Sequence, residues 1–278
     1  MPETLTEKPY DLKEIVSQLV TEDDEPVDNI FSAKQQRLLV EPLYSSWLPE
    51  PDEEHPAPRT FLADANVGVF YSVRKPPLVP DMFLSLDVEV NKDWHAKENR
   101  SYLIWEFGKV PEVVVEVVSN RAGNELGSKL RRYAEMGINY YLVFDPMQEL
   151  SEQVLRIFEI SSGKSYRLRE DFVLPTVGLS VTLWRNVYEG VPETWLRWCD
   201  KSGAIIPTGA ERAARETERA NQEAERANQE TERANQETER ANQETERANQ
   251  EAERAAREAE RADRAEAELA RLRAELER

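Results

Sequence analysis

The sequence predicts an α/β domain around a mixed central β-sheet flanked by helices, followed by a long C-terminal α-helix. Three observations carry this. "PEVVVEVVSN" (111–120) places five valines in the six positions from Val113 to Val118, as a strand buried within a sheet does. Leu126, Leu130 and Tyr133 follow at helical intervals, and then comes a second apolar run, "INYYLVFDP"; a strand, a helix and a strand in that order predict a parallel pair. From Glu211 onward there is no Pro, Gly or aromatic residue, and the chain repeats with a period of seven.

Residues 1–29 are acidic, with "TEDDEP" the clearest disordered stretch. "IFSAKQQRLLVEPLYSSWL" (30–48) has helical spacing at Ile30, Leu38 and Leu39, and Pro42 is expected to end or kink that helix. "PEPDEEHPAPRT" reads as a loop. "VGVFYSVRKPP" offers a short strand through Val69, Tyr71 and Val73, and "PPLVPDMFLSLDVEV" a second strand near 82–90. After the Trp-rich connection "DWHAKENRSYLIWEFGKV" comes the valine strand at 112–118, then a helix ending at Gly137, which suits a C-terminal cap. Asp145-Pro146 stops the next strand. "QVLRIFEI" and "SYRLRE", joined by "SSGK", predict a hairpin, and "VGLSVTLW" and "ETWLRWCD" close the domain. The expected organisation is a flexible acidic segment over 1–29, the α/β domain over 30–207 and a helical tail over 208–278.

The 278-residue chain has a formal net charge of −18. The segment from Glu211 holds 14 Arg against 20 acidic residues and contributes −6, which leaves −12 on the rest. An acidic balance disfavours a broad nucleic-acid surface, where phosphate contacts call for an excess of Lys and Arg, though a local basic cleft is compatible with it. Cys199 is the sole cysteine, which excludes an intrachain disulfide and fits a reducing, cytoplasmic setting. "MPETLTEKPYDLKEIV" lacks the basic start and apolar core of a signal peptide, and no apolar run approaches the roughly 20 residues of a membrane helix. His55 and His95 are isolated, so no zinc cluster is expected, and there is neither a phosphate loop nor a G-x-S-x-G elbow. Trp195 and Trp198 read as packing residues.

Alternation along a strand puts Glu112, Val114, Glu116 and Val118 on one face, so Glu116 sits between valines. A carboxylate removed from water must neutralise, pair or hold a metal. A buried salt bridge to Lys129 or an Arg is one reading of Glu116. The other involves Asp81, which follows Pro80 at an expected strand start. If the two strands are neighbours, the two acids converge, and a divalent cation would relieve their repulsion. Otherwise Asp81 is only a strand-start residue. Lys129 is either a solvated helix residue or an ammonium that reaches back to the site. Arg131, Arg132, Lys164, Arg167 and Arg169 form either a phosphate track or scattered surface charge.

"VPD" at 79–81, "EVVVEVVSN" at 112–120 and "KLRRYAEMGINYYLVFDP" at 129–146, taken in this order, resemble the Uma-type family of restriction endonucleases in the PD-(D/E)XK nuclease superfamily. The resemblance covers roughly residues 30–200. It implies a restriction-endonuclease-like fold and cleavage of phosphodiester bonds in DNA with Mg²⁺, or Mn²⁺ in its place. Asp81 and Glu116 would be metal ligands, with the Val117 carbonyl as a further oxygen. Lys129 would be the catalytic lysine, and Arg131 and Arg132 would contact nucleic acid. One departure stands out: the superfamily lysine lies two positions after the second acid, where this chain has Val118. The alternative is a catalytically inactive nuclease fold that serves as a binding or scaffold protein.

In the tail, Ala213, Ala220, Ala227, Ala234, Ala241, Ala248, Ala255 and Ala262 recur every heptad. Thr217, Ala224, Thr231, Thr238, Thr245, Ala252 and Ala259 follow each of the first seven by four positions. This is the spacing of a coiled-coil seam, with Thr208-Gly209-Ala210-Glu211 as a capping box at its start. Ala and Thr bury little apolar area. The expectation is therefore a long charged helix that self-associates weakly through Leu269, Leu272 and Leu276, or a single solvated helix.

Overall fold

The computed structural model describes residues 16–17, 19, 29–51, 57–90, 93, 95–120 and 123–276. The acidic segment read as disordered and His55 lie outside them, apart from a few positions. Helix α1 (Ile30–Ser46) begins at Asn29, whose Oδ1 accepts the Ser32 N–H at 2.9 Å. Its core side is Leu38, Leu39 and Leu43, all fully buried. Pro42 does not end the helix: it is itself buried, and the last turn closes four residues later with the Trp47 N–H on the Leu43 carbonyl. Anchored leucines on both sides of Pro42 hold the helix together across the missing hydrogen bond.

The central sheet has six strands in the order β1 (Phe61–Asp64), β3 (Met82–Leu86), β5 (Val113–Val117), β6 (Tyr140–Phe144), β7 (Leu155–Ser161) and β8 (Ser165–Leu168). β5 and β6 are parallel, with Val113 opposite Tyr140, and every other pair is antiparallel, so the sheet is mixed. Sequence reading missed β1, which lies just beyond the Pro-rich loop. Two shorter elements also differ from expectation. The strand through Val69 is only β2 (Val69–Phe70), parallel to β4 (Tyr102–Leu103), and the connection after β4 winds into a one-turn helix, α2 (Ile104–Phe107). β3 stops at Leu86 because Asp87 turns the chain with φ 56° and pairs with Arg59.

The alternation of β5 sorts its valines onto two cores. Val113, Val115 and Val117 pack with Leu39 and Leu43 of α1, and with a second, three-stranded sheet of β9 (Val173–Leu174), β10 (Leu179–Tyr188) and β11 (Val191–Cys199). Val114 and Val118 pack on the opposite face with Tyr133 and Met136 of α3 (Leu130–Met136). The predicted cap is present: Gly137 adopts φ 90° and returns its N–H to the α3 carbonyls. Gln35 completes the first core by using its side-chain amide as a strand would, accepting from the Leu196 N–H at 3.0 Å and donating to the Leu196 carbonyl at 2.9 Å. Trp195 and Trp198 are buried, each with its indole N–H on a backbone carbonyl, as packing residues require.

The chain divides into two compact units, Met1–Arg212 and Ala213–Arg278. The long helix α4 (Gly209–Leu276) starts in the first unit with the expected capping box: the Glu211 N–H donates to Thr208 Oγ1 at 3.1 Å, and the Thr208 N–H donates to Glu211 Oε2 at 2.8 Å. Glu211 also receives both terminal nitrogens of Arg197, a guanidinium that is 1% exposed and stacked 4.7 Å over Trp184. In the second unit every described side chain from Ala213 to Arg273 is exposed. Its Thr217, Thr231, Thr238 and Thr245 hydroxyls donate to the carbonyls four residues earlier at 2.9 Å. No helix among the described residues is long and apolar enough to cross a membrane.

Candidate active site

The two acids singled out in the sequence come together across a strand pair. Met82 lies opposite Val115 in the antiparallel β3–β5 ladder, so the next step in register sets Asp81 against Glu116. Side chains directly opposite in such a ladder share a face. Asp81 ends the ladder with its side chain: Oδ2 accepts the Val117 N–H at 2.7 Å. Oδ1 accepts from Gln36 Nε2 of α1, also at 2.7 Å. Gln36 is fixed in turn by Asn66, which sits at φ 55° and exchanges amide hydrogen bonds with it at 2.9 and 3.1 Å. Asp81 is partly exposed.

Glu116 is 2% exposed, and two groups from the following helical segment bind its carboxylate. Lys129 Nζ donates to Oε2 at 2.9 Å, and the buried Tyr133 hydroxyl donates to Oε1 at 2.7 Å. Burial pushes the Glu116 carboxyl up to about 7; the neighbouring Asp81 charge adds to the rise, while Lys129 and Tyr133 oppose it. For Lys129 burial acts downward, yet the carboxylates of Glu116, Glu125 and Asp81 outweigh it and hold the ammonium above its ordinary value. Burial, and then the Glu116 charge, raise Tyr133 well above the usual phenol range, so it remains a donor.

Lys129 does not lie on a regular helix. It ends a π-helical turn, Glu125–Lys129, that runs directly into α3. π turns of this kind concentrate at functional sites. The residues of "GNELGSK" accommodate the turn. Asn124 opens it in the left-handed region with φ 57°. A Cβ on Gly123 would lie 1.8 Å from Glu125 Oε1, and one on Gly127 would lie 1.9 Å from Asn124 Oδ1, so in this arrangement the two side chains occupy the space that the glycines leave. Lys129 and Tyr133, four residues apart, thus both reach Glu116, and Glu125, four residues before Lys129, lies beside the ammonium. Glu125 is 4% exposed; its Oε1 is 3.8 Å from Lys129 Nζ, and its Oε2 has no hydrogen-bond partner among the described residues.

The remaining candidates are placed differently. The Val117 N–H faces Asp81, so its carbonyl, which shares an edge with that N–H in a strand, lies on the same side of β5. Arg131 is exposed. Arg132 is engaged by the main chain, donating to the carbonyls of Pro76 and Pro77 at 2.8 and 3.3 Å. Arg167 and Arg169 pair with Glu159, and Lys164 donates to the Glu135 carbonyl. Glu112, on the same strand face as Glu116, clamps the other end of β5 to the Leu86 N–H and to Lys109. Sequence reasoning missed Gln36, Glu125 and the role of Tyr133. The i, i+4, i+8 spacing of Glu125, Lys129 and Tyr133 was a readable signal for two of them, but nothing local marked Gln36.

No curated protein matches the chain. The family model Uma2, described as "Putative restriction endonuclease", matches residues 24–183. That span contains Asp81, Glu116, Lys129 and the helix that supplies Gln36, and it is more than half of the chain; this protein therefore belongs to the Uma2 family.

Proposed function

We propose that the protein is a divalent-cation-dependent endonuclease that hydrolyses phosphodiester bonds in DNA, with Asp81, Glu116 and Lys129 as its catalytic residues. The observation that carries this reading is the juxtaposition of Asp81 and Glu116. Two carboxylates facing each other across a ladder destabilise the fold, and Asp81 raises the pKa of a glutamate that burial has already raised. A scaffold has no need of that arrangement, whereas perturbed acids of this kind cluster at functional sites.

The donor set fits a hard ion. Asp81 and Glu116 offer carboxylate oxygens, and the Val117 carbonyl points to the same edge of β5. Among the described residues no group of three or more His, Cys, Asp or Glu is arranged to hold a metal. Mg²⁺ suits such a sparse set because it keeps several waters and takes one or two carboxylates; Mn²⁺ is the natural substitute. A bound ion would polarise the scissile phosphate and acidify its water. The chain's own part is then to hold Glu116 in place through Tyr133, to aim Asp81 through Gln36, and to set the Lys129 ammonium where it orients the attacking water or meets charge developing on phosphate. Arg131, exposed on the first turn of α3, would contact phosphate; Arg132 would reach phosphate only by leaving its carbonyls. The single, buried Cys199 suits a cytoplasmic setting. The tail would act as a spacer, with weak self-association through its terminal leucines.

The second reading, an inactive scaffold, is favoured by the Lys129–Glu116 ion pair itself. Cleavage of plasmid or oligonucleotide DNA with Mg²⁺ or Mn²⁺ separates the two. Glu116→Ala and Asp81→Asn should each lose more than roughly a hundredfold, since even supporting partners of metal ligands are worth 10- to 100-fold. Equal residual activity in wild type and both variants would end the enzyme reading.

A further inference from the structure

The Lys129 ammonium lies on Glu116, the residue that the proposed function assigns to the metal. A divalent cation bound at Glu116 would meet a positive charge 2.9 Å from the Oε2 oxygen. Moving the ammonium away would ease loading, and the structure provides a destination. Glu125 sits one helical step before Lys129 with Oε1 only 3.8 Å from Nζ, which is too long for a hydrogen bond and short enough to become one by a rotation of the lysine side chain. The same carboxylate is 4% exposed, and its Oε2 accepts no hydrogen bond from the described residues. A buried carboxylate oxygen left without a donor is costly and rare in a folded protein. Lys129 can make the move, since its side chain is 27% exposed and long enough to pivot. Glycine at 123 leaves the space into which the Glu125 carboxylate folds back.

We infer that Glu125 is a second seat for the Lys129 ammonium: the lysine rests on Glu116 in the metal-free protein and transfers to Glu125 when a divalent cation takes Glu116. This rests on the proposed function, because it assumes that Glu116 is a ligand. Glu125 is then a positioning residue. It touches neither substrate nor metal, and it acts by lowering the cost of vacating Glu116 and by holding the ammonium beside the site once the ion is in.

The test is a double-mutant cycle read as Mn²⁺ affinity, by calorimetry on the full-length protein without DNA. Glu125→Gln keeps the shape and removes the seat. It should weaken Mn²⁺ binding by roughly ten- to a hundredfold, the worth of a hydrogen bond between charged groups. In a Lys129→Met background the same substitution should change affinity by less than about threefold, because no ammonium remains to be seated. Simple loss of a nearby negative charge would instead weaken binding equally in both backgrounds, and that outcome overturns the inference. Asp81→Asn tells the two proposals apart. If wild type binds Mn²⁺ and Asp81→Asn does not, but Glu125→Gln matches wild type, the second seat is wrong while the metal site stands; if wild type binds no Mn²⁺, both are wrong. The wild-type protein gives an independent reading should Glu125→Gln fail to fold. The Lys129 Cε methylene resonance, assigned with Lys129→Arg, should shift on saturation with diamagnetic Mg²⁺, and an unmoved resonance would overturn the transfer.

Discussion

Glu116 holds the conflict on which the site turns. Its carboxyl is buried, faces a second acid and titrates near 7 rather than near 4.5. A carboxyl whose folded pKa is raised contributes most stability below its unfolded pKa and loses that contribution as pH climbs through the folded value. The metal-free protein should therefore lose stability from this group between about pH 4.5 and pH 7, by roughly 3 kcal/mol at most at 1.36 kcal/mol per unit. Glu116→Gln imitates the protonated carboxyl, can still accept from Tyr133, and leaves Lys129 with Glu125 as a neighbour. Urea titrations at pH 5 and pH 8 should show the variant equal to wild type at the lower pH and more stable at the higher, while DNA cleavage is lost. A variant less stable than wild type at pH 8 would mean that the ion pair outweighs burial, and would strengthen the scaffold reading. Tyr133 and Gln36 belong to the same network at one remove. Tyr133→Phe removes the hydroxyl from Glu116 with little change in volume, and it should cost about 1 to 3 kcal/mol by leaving a buried acceptor short of a donor, as equilibrium unfolding would show.

At the scale of elements, the first turn of α4 is tied to Arg197 of β11, whereas the π turn before α3 is shaped by its own Asn124 and Glu125 side chains. Glu211 caps its helix and neutralises Arg197, which is 1% exposed and has no other carboxylate among its hydrogen bonds in the described residues. Thr208→Ala removes only the cap and should cost about 1 kcal/mol. Glu211→Ala also strands a buried guanidinium and should cost about 3 kcal/mol, the low end for such a loss because Glu211 itself is 35% exposed. Chemical denaturation of the two variants checks the ordering; equal costs would show that Arg197 finds water or another partner. The capping box was readable because both its members lie within one turn. Arg197 was not, because its partner is fourteen residues away and the turn after β11, where the Asp200 N–H meets the Ala204 carbonyl and the Ile206 N–H meets the Trp198 carbonyl, brings it there. The π turn was likewise hidden, since Leu126, Leu130 and Tyr133 have ordinary helical spacing, and the bulge appears only when the Glu125 and Asn124 side chains are seen folding over glycines.

Across the whole molecule, the two units differ in what holds them. The first has two main cores, one on each face of its main sheet, and a small third cluster of Val16, Phe70 and Leu103. The second, from Ala213 to Arg273, buries no described side chain, and its Thr hydroxyls are satisfied by its own backbone. Its helix rests on intrinsic propensity and on pairs such as Glu253–Arg257 and Glu260–Arg264, each worth a few tenths of a kcal/mol. Far-UV circular dichroism at micromolar concentration should show a cooperative step from the first unit superimposed on a broad, gradual loss from the tail. A single sharp transition of the whole signal, rising with concentration, would instead mean that the Ala/Thr seam is buried between chains.

Local periodicity was enough to read the valine strand, the β/α/β step, the β7–β8 hairpin and the heptad helix from the chain alone, because each pattern repeats within a few residues and reports which face is apolar. The acid pair was legible only as a conjecture. Asp81 and Glu116 lie thirty-five positions apart, and whether they meet depends on strand neighbours and on register, where a slip of one residue would turn Glu116 to the other face. Packing of α1 and α3 on the two sides of the sheet decided that register, and with it the partners Gln36, Tyr133 and Glu125. Side-chain hydrogen bonds between distant segments leave no periodic trace in a sequence, so only the folded chain could reveal them.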